Sequence, residues 1–358
     1  MAKRKLRVAV LFGGQSAEHE VSLVSAEAVI KGLDKKKYQV IPIGISKQGG
    51  WHIGDNTLRA FKNKSKINLQ STPITPDPNL NKFKIDVIFP VLHGTLGEDG
   101  TVQGLLELSG IPYVGAGVLG SSIGMDKIIQ KMIFKSVNLP TPKFIYFTTQ
   151  DKLPVMIRRV MSEIKLPCFV KPANLGSSVG ISKVIDKKSL LAALKLAFKY
   201  DRRVIVEQAI NKPLEIECAV LGNDNPVASV LGQIVSSNDF YDYDAKYVDG
   251  KSKAIIPAPL KKTISDKIRS IAIDAYKCLD LAGMSRVDFL VQSGGKVYLN
   301  EVNTIPGFTS ISMYPKLWQA SGLEFSALLD KLIVLALERK AVNSKLNKSF
   351  KPKKSWYK

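Results

Sequence analysis

The apolar positions follow a repeated order along the first third of the chain. Residues 7–12 (RVAVLF) form a short apolar run ending at Gly13-Gly14, and the stretch to about Leu33 then places Val21, Val24 and Ala28 on one helical face. This predicts a strand, a turn and a helix. YQVIPIGI (38–45) and KIDVIFPVL (84–92) read as further strands, with a helix after each outer strand and a polar insertion, residues 46–83, between them. An α/β unit with a mainly parallel sheet is expected for residues 1 to about 115.

The pattern then changes. A helix is predicted near residues 118–138, strands near 143–147 and 166–171, and a loop of small residues from Asn174 to Gly180. Strand 181–185, an amphipathic helix 187–200 and strand 203–209 complete this second unit. From Leu214 the segments LEIECAVLGN and PVASVLGQI alternate as antiparallel strands do. A polar, tyrosine-rich stretch at 236–257 reads as a long loop, and a helix follows over about 260–282. SRVDFLVQ and KVYLNEVN flank Ser293-Gly294-Gly295 as a hairpin, and a last helix runs to about Arg339. No internal repeat is visible.

At 358 residues and 45% hydrophobic composition, two or three domains with full cores are expected. No apolar run approaches the roughly 18 residues needed to span a bilayer, and Val8–Phe12 is shorter than a secretory h-region of roughly 7 to 15 residues. A cytoplasmic protein with no membrane association is expected. Cys168, Cys218 and Cys278 are an odd, scattered set, which indicates neither a disulfide framework nor a thiolate metal site. With only His19, His52 and His93, and no close helical pair among them, a metal must take oxygen ligands, which points to magnesium. The net charge of +21 first suggests nucleic acid, but residues 1–7 and 339–358 supply 12 of those charges and contain no acidic side chain. Basic ends of this kind are solvated tails more often than binding domains, so no nucleic-acid partner is expected.

The clearest chemical constellation lies in the hairpin. Glu301 and Asn303 are two apart on a strand and share a face, and a tight turn at Gly294-Gly295 places Asp288 almost opposite Glu301. Adjacent carboxylates on a sheet need a neutralising cation, either a magnesium ion or Arg286, which shares a face with Asp288. Gly176-Ser177-Ser178-Val179-Gly180 follows a strand ending in Lys171, an arrangement suited to cradling phosphate but equally to a flexible turn. Gly115-Ala116-Gly117-Val118-Leu119-Gly120 matches a dinucleotide fingerprint, yet residues 127–150 hold no acidic side chain, so an interdomain glycine hinge is the better reading than an NAD enzyme. Glu18 and Glu20 lie just beyond the first strand, where ligands of open α/β sheets bind, although acidic residues at a helix N-terminus need no further explanation. His93 sits at a similar sheet edge, where a lone histidine is more often a structural hydrogen-bond donor than a catalyst.

Taken in order, LFGGQSAEHEVS, VLHGTLGEDGTVQG, MDK, FVKPANLGSSVG, FYDYDAKY, SRVDF and NEVNTIPGFTSISMYP resemble the D-alanine:D-alanine ligases, over residues 7 to about 340. The resemblance implies a three-domain ATP-grasp fold of the α/β class. Its parts would be an N-terminal Rossmann-like (pre-ATP-grasp) domain at 1–120, a central ATP-grasp subdomain at 121–212 and a C-terminal one at 213–340, with a lid loop at 236–257 and a basic tail at 341–358 outside the resemblance. It also implies a cytoplasmic homodimer that uses ATP and two Mg2+ (or Mn2+) to join two D-alanines through an acyl phosphate, for peptidoglycan precursor synthesis. Glu18 would hold the first substrate's ammonium and close a network with Ser177 and Tyr247. Lys127, Lys171 and Lys246 would contact ATP phosphates, with Ser177 and Ser178 in the phosphate loop. Glu207 and Ile210 would line the adenine site, and Glu215 would bind ribose. Asp288, Glu301 and Asn303 become metal ligands. Arg286 and the Gly307 amide would stabilise the oxyanion, Ser312 and Met313 would hold the second carboxylate, and His93 would lie near the first substrate. Tyr247 implies D-alanine rather than D-lactate as second substrate.

Overall fold

The computed structural model describes residues 4–63, 71–77, 79–235, 253–347 and 349–350. Strand β1 (Leu6–Gly13) sits inside a five-stranded sheet, pairing in parallel with β2 (Tyr38–Ile45) and β5 (Val87–Pro90). Its residues Val8 to Phe12 are all buried, as befits a parallel strand covered on both faces. Helix α1 (His19–Gly32) covers one face.

The described residues of the insertion 46–83 hold more regular structure than its polar composition suggests. β3 (Trp51–Ile53) and β4 (Thr72–Ile74) extend the sheet antiparallel from β2, with α2 (Thr57–Lys62) between them. The anchor is aromatic: Phe61 packs edge-on against Phe12 and against His52 of β3, ring centroids 5.7 Å apart in each pair, and Trp51 is buried in a separate cluster with Ile43 and Ile45. A few apolar residues spaced widely within polar sequence suffice to hold an edge extension.

After α3 (Thr101–Ser109), the helix expected over 118–138 is two: α4 (Val118–Met125) and α5 (Lys127–Ser136). Asp126 breaks them apart. Its backbone is extended (ψ 103°), and its side chain caps α5 by accepting from the amides of Ile128 at 3.0 Å and Ile129 at 3.1 Å. A four-stranded antiparallel sheet follows in the order β6-β9-β7-β8, with β6 (Phe144–Thr148), β7 (Cys168–Pro172), β8 (Ser182–Val184) and β9 (Arg203–Gln208). Helices α6 (Leu153–Arg159) and α7 (Lys187–Ala197) bury one face of it.

The last sheet is antiparallel, in the order β12-β11-β10-β13-β14. Its strands are β10 (Leu214–Gly222), β11 (Val227–Val235), β12 (Lys253–Ile255), β13 (Gly283–Val291) and β14 (Val297–Asn303). Alternating burial along β13 puts Val287, Phe289 and Val291 into a core under α8 (Lys262–Cys278). Arg286 and Asp288 face the other way. The final helix is again two: α9 (Met313–Ala320) lies against β10 and β11 of the last sheet, and α10 (Phe325–Ser344) reaches from β10 and β13 to α1 and β5 of the first. Phe308, Tyr314, Leu328 and Leu332 share one core with Val8, Phe12 and Phe89. Chain far apart in sequence therefore closes around the edge where β1 and β5 end.

The glycine-rich segment 115–120 has no room for a dinucleotide. Arg339 of α10 donates to the carbonyl oxygens of Gly115 at 2.6 Å and Tyr113 at 3.2 Å, and a Cβ on Gly120 would lie 2.5 Å from the Asp280 carbonyl. The fingerprint is a packing junction.

Candidate active site

Parallel neighbours β1 and β5 deliver Glu18 and His93 to the same edge, because both strands end there and each is followed by a short turn. Glu18 stands at the N-cap of α1 but makes no side-chain cap bond. Its carboxylate, 8% exposed, instead accepts from Ser177 Oγ, so the macrodipole explanation of an acidic residue here does not describe what the side chain does. A Cβ on Gly176 would meet Glu18 Oε2 at 2.6 Å, which is why the loop after β7 needs glycine at that point. Ser177 and Ser178 both adopt left-handed backbone, φ 49° and 59°, a conformation that non-glycine residues hold at a cost of order 1–3 kcal/mol and mostly at functional sites.

The α4–α5 break has a purpose here. It sets Lys127 at the first position of α5, with Nζ donating to the Leu175 carbonyl at 2.6 Å and lying 3.8 Å from Glu301 Oε2. One turn later Lys131, 1% exposed, reaches the Asn300 carbonyl at 2.8 Å and Glu207 Oε1 at 3.3 Å. Lys171 pairs with Glu207 Oε2 at 2.8 Å. Burial by itself would raise Glu207, but the two ammonium groups reverse this and hold its carboxyl below the usual range. Burial opposes the charge on Lys171 as well, and the Glu207 and Glu301 carboxylates hold its pKa above the ordinary value.

Asp288 is paired in register with Glu301, and Arg286 with Asn303. The pairing depends on a one-residue bulge. Phe289 opposes Leu299 while Asp288 opposes Glu301, so Asn300 is the extra residue on β14. Without it every side chain beyond would turn to the opposite face. Arg286 binds Asp288 through Nε at 2.8 Å and a terminal nitrogen at 2.6 Å, and lies 3.1 Å from Glu217 on β10. Despite burial, which disfavours its charge, the Asp288 and Glu217 carboxylates raise its pKa well above the ordinary value. The sheet thus uses Arg286 as its neutralising cation at Asp288. Among the described residues no group of three or more His, Cys, Asp or Glu gathers as a metal cage. Two carboxylates and an amide oxygen suit an ion that takes one or two carboxylates and completes its shell with water and phosphate, which is the habit of magnesium rather than of a transition metal.

One cleft joins these groups: Glu18, His93, Lys127, Ser177, Ser178, Arg286, Glu301, Asn303, Gly307, Ser312 and Met313 all line it. Lys171 and Glu207 form the buried cluster next to it, while Ile210 and Glu215 are partly buried and do not line this cleft. Lys246 and Tyr247 lie outside the described residues, as does most of the loop 236–257. Glu98 and Glu217 line the cleft too, and sequence reasoning did not select them. Glu217 was accessible to it, since it shares a strand face with Glu215. Glu98 was not, because its role depends on a contact with Ile305, 207 positions away.

Three sheets that enclose such a cleft, with lysines and a small-residue loop on one wall and paired acids on the other, define an ATP-grasp enzyme. Family models for the D-ala D-ala ligase N-terminus and C-terminus match residues 7–116 and 133–334. A D-alanine–D-alanine ligase of Ruminiclostridium cellulolyticum is 52% identical, the alignment covering 94% of this chain and 96% of the relative. The solved D-alanine–D-alanine ligase of Coxiella burnetii superposes with a TM-score of 0.85 at 38% identity, covering 96% of this chain and 97% of that one. The VanG D-Ala:D-Ser ligase of Enterococcus faecalis superposes with a TM-score of 0.84 at 39% identity, covering 93% and 100%. The chain belongs to the D-alanine–D-alanine ligase family.

Proposed function

We propose that the protein joins two D-alanine molecules to D-alanyl-D-alanine at the expense of ATP, supplying peptidoglycan precursor in the cytoplasm as a homodimer. The observation that carries this reading is the meeting of Glu18 with Ser177 in one cleft with Arg286, Glu301 and Asn303; Asp288 does not line that cleft but is bound to Arg286 and paired with Glu301. No helix among the described residues is long and apolar enough to cross a membrane.

The chemistry must overcome two difficulties. A carboxylate is a poor electrophile and carries the same charge as its phosphoryl donor. Glu18 holds the ammonium of the first D-alanine, which leaves the carboxylate facing the phosphate wall. Lys127, Lys171 and Lys246 spread the charge of the loose phosphoryl-transfer transition state, and the backbone of Ser177 and Ser178 supports the phosphates. Glu207, Ile210 and Glu215 receive the nucleoside. Two divalent ions held by Asp288, Glu301 and Asn303 would supply further screening of the phosphate oxygens.

The first carboxylate oxygen attacks the γ-phosphorus, and ADP leaves. The amine of the second D-alanine, held through its carboxylate by Ser312 and Met313, then attacks the acyl phosphate carbon. The carbonyl electron pair moves onto oxygen, where Arg286 and the Gly307 amide receive it, and collapse expels phosphate. Water competes for the same acyl phosphate, so the loop 236–257 with Tyr247 serves as lid. In this arrangement His93 is no proton acceptor: both ring nitrogens are engaged by Ser25 and Ile305, and burial pushes its pKa down. Phosphate release stimulated by D-alanine, together with dipeptide detection, tests the proposal.

A further inference from the structure

The loop that carries Gly307 is held from outside its own sheet. The Ile305 amide donates to Glu98 Oε1 at 3.2 Å, and the other Glu98 oxygen accepts from the Gly94 amide at 2.7 Å. The Ile305 carbonyl lies 3.2 Å from His93 Nδ1. A carbonyl oxygen only accepts, so Nδ1 carries the imidazole proton. Nε2 of the neutral ring is then the acceptor for the Ser25 hydroxyl at 3.0 Å, and Ser25 Oγ in turn accepts from the Phe308 amide at 3.4 Å. Both residues that flank Pro306-Gly307 therefore hang on side chains of the first sheet's connections. Glu98 is 7% exposed, His93 4% and Ser25 0%, so these bonds lie where water competes little for them. Gly307 has no slack on its other side, where an added Cβ would stand 2.7 Å from Ser312 Oγ.

We propose that Glu98 and His93 are positioning residues that fix the Gly307 amide for the second half-reaction. The inference rests on the ligase reading above. If the amide drifts, the oxyanion loses a donor when the amine attacks, while acyl phosphate formation, which does not use that donor, continues. Water then attacks the phosphorus of the stalled acyl phosphate, a route that forms no carbonyl oxyanion; the phosphorus–oxygen bond to the acyl group breaks, and D-alanine and phosphate are released without dipeptide. A buried residue of merely structural importance would slow both half-reactions together.

The test is the ratio of phosphate released to dipeptide formed, measured on the full chain with ATP, magnesium and D-alanine. The unmodified protein should release one phosphate per dipeptide. Glu98→Ala should raise that ratio about threefold or more with the KM for ATP changed less than about twofold, and Glu98→Gln, which keeps one acceptor oxygen, should fall between. His93→Asn keeps an N–H donor near the Nδ1 position and should stay closer to the unmodified ratio than His93→Ala. Should Glu98→Ala fail to fold, Glu98→Gln and the His93 pair read the same ratio. A ratio that stays at one in every variant, with both rates reduced in parallel, overturns the positioning role and leaves the ligase reading intact. Absence of D-alanine-dependent phosphate release from the unmodified protein removes the ligase reading, and this inference with it.

Discussion

Ser177 Oγ donates its hydrogen bond to Glu18 Oε1 across 159 positions of sequence, joining the loop after β7 to the turn after β1. A hydroxyl donating to a nearly buried carboxylate is worth about 1.5–3 kcal/mol, more than a neutral pair, because the charge has little water to fall back on. Ser177→Ala should therefore lower kcat/KM for D-alanine by roughly 10- to 100-fold and lower the melting temperature as well, since the bond is already made in the ligand-free fold. Steady-state kinetics beside a thermal melt check this. A change of kcat/KM within experimental scatter contradicts the assigned contact.

At the hairpin, Glu301→Gln should abolish turnover while the fold persists, since it removes one negative ligand from a set with only two carboxylates. Asn303→Asp should be milder because an oxygen donor survives. Manganese binding in the presence of ADP, followed by electron paramagnetic resonance, gives a readout independent of catalysis. Near-normal affinity in Glu301→Gln excludes Glu301 as a ligand.

Glu98 sets a pH dependence. Burial, and then the nearby Glu18 charge, push its carboxyl up from 4.5 to about 8, against the pull of the two amides and Lys127. Between those values the folded protein holds a proton that the unfolded chain has released. The contribution to stability is complete below 4.5 and declines as pH rises toward 8, with a slope approaching about 1.4 kcal/mol per pH unit for one proton. Glu98→Gln cannot ionise and should flatten this part of the profile. Urea unfolding at intervals from pH 5 to 9 compares the two, and parallel profiles would count against the raised pKa.

How much of this was legible beforehand depends on the range of each interaction. The β1, β2 and β5 runs were readable because a buried parallel strand is apolar throughout, and the Asp288–Glu301 pairing because strand alternation is local. The bulge at Asn300, by which that pairing keeps its face, leaves no mark in composition. The Asp126 break was missed since a helix pattern on both sides of an aspartate looks continuous, although Asp is also a good N-cap. The chemical motifs around Glu18, Ser177 and Arg286 could be assigned roles only through resemblance, because their meeting is long-range. For the same reason the clamp of Glu98 and His93 on Ile305 became visible only in three dimensions.

The proposed lid carries an expectation for specificity toward the second substrate. Tyr247, beyond the described residues, is expected to join Glu18 and Ser177 in a closed network suited to an incoming amine. With D-alanine and D-lactate competing at pH 7, the dipeptide should dominate, and Tyr247→Phe should lower dipeptide synthesis and release measurable ester. Predominant ester from the unmodified protein contradicts the lid assignment alone.

The central claim is a coupled synthesis, and product stoichiometry tests it most directly. Incubated with ATP, magnesium and D-alanine, the protein should form ADP, phosphate and D-alanyl-D-alanine in equal amounts, with phosphate release dependent on D-alanine. Phosphate release that ignores D-alanine, or no dipeptide at any D-alanine concentration, would contradict the account.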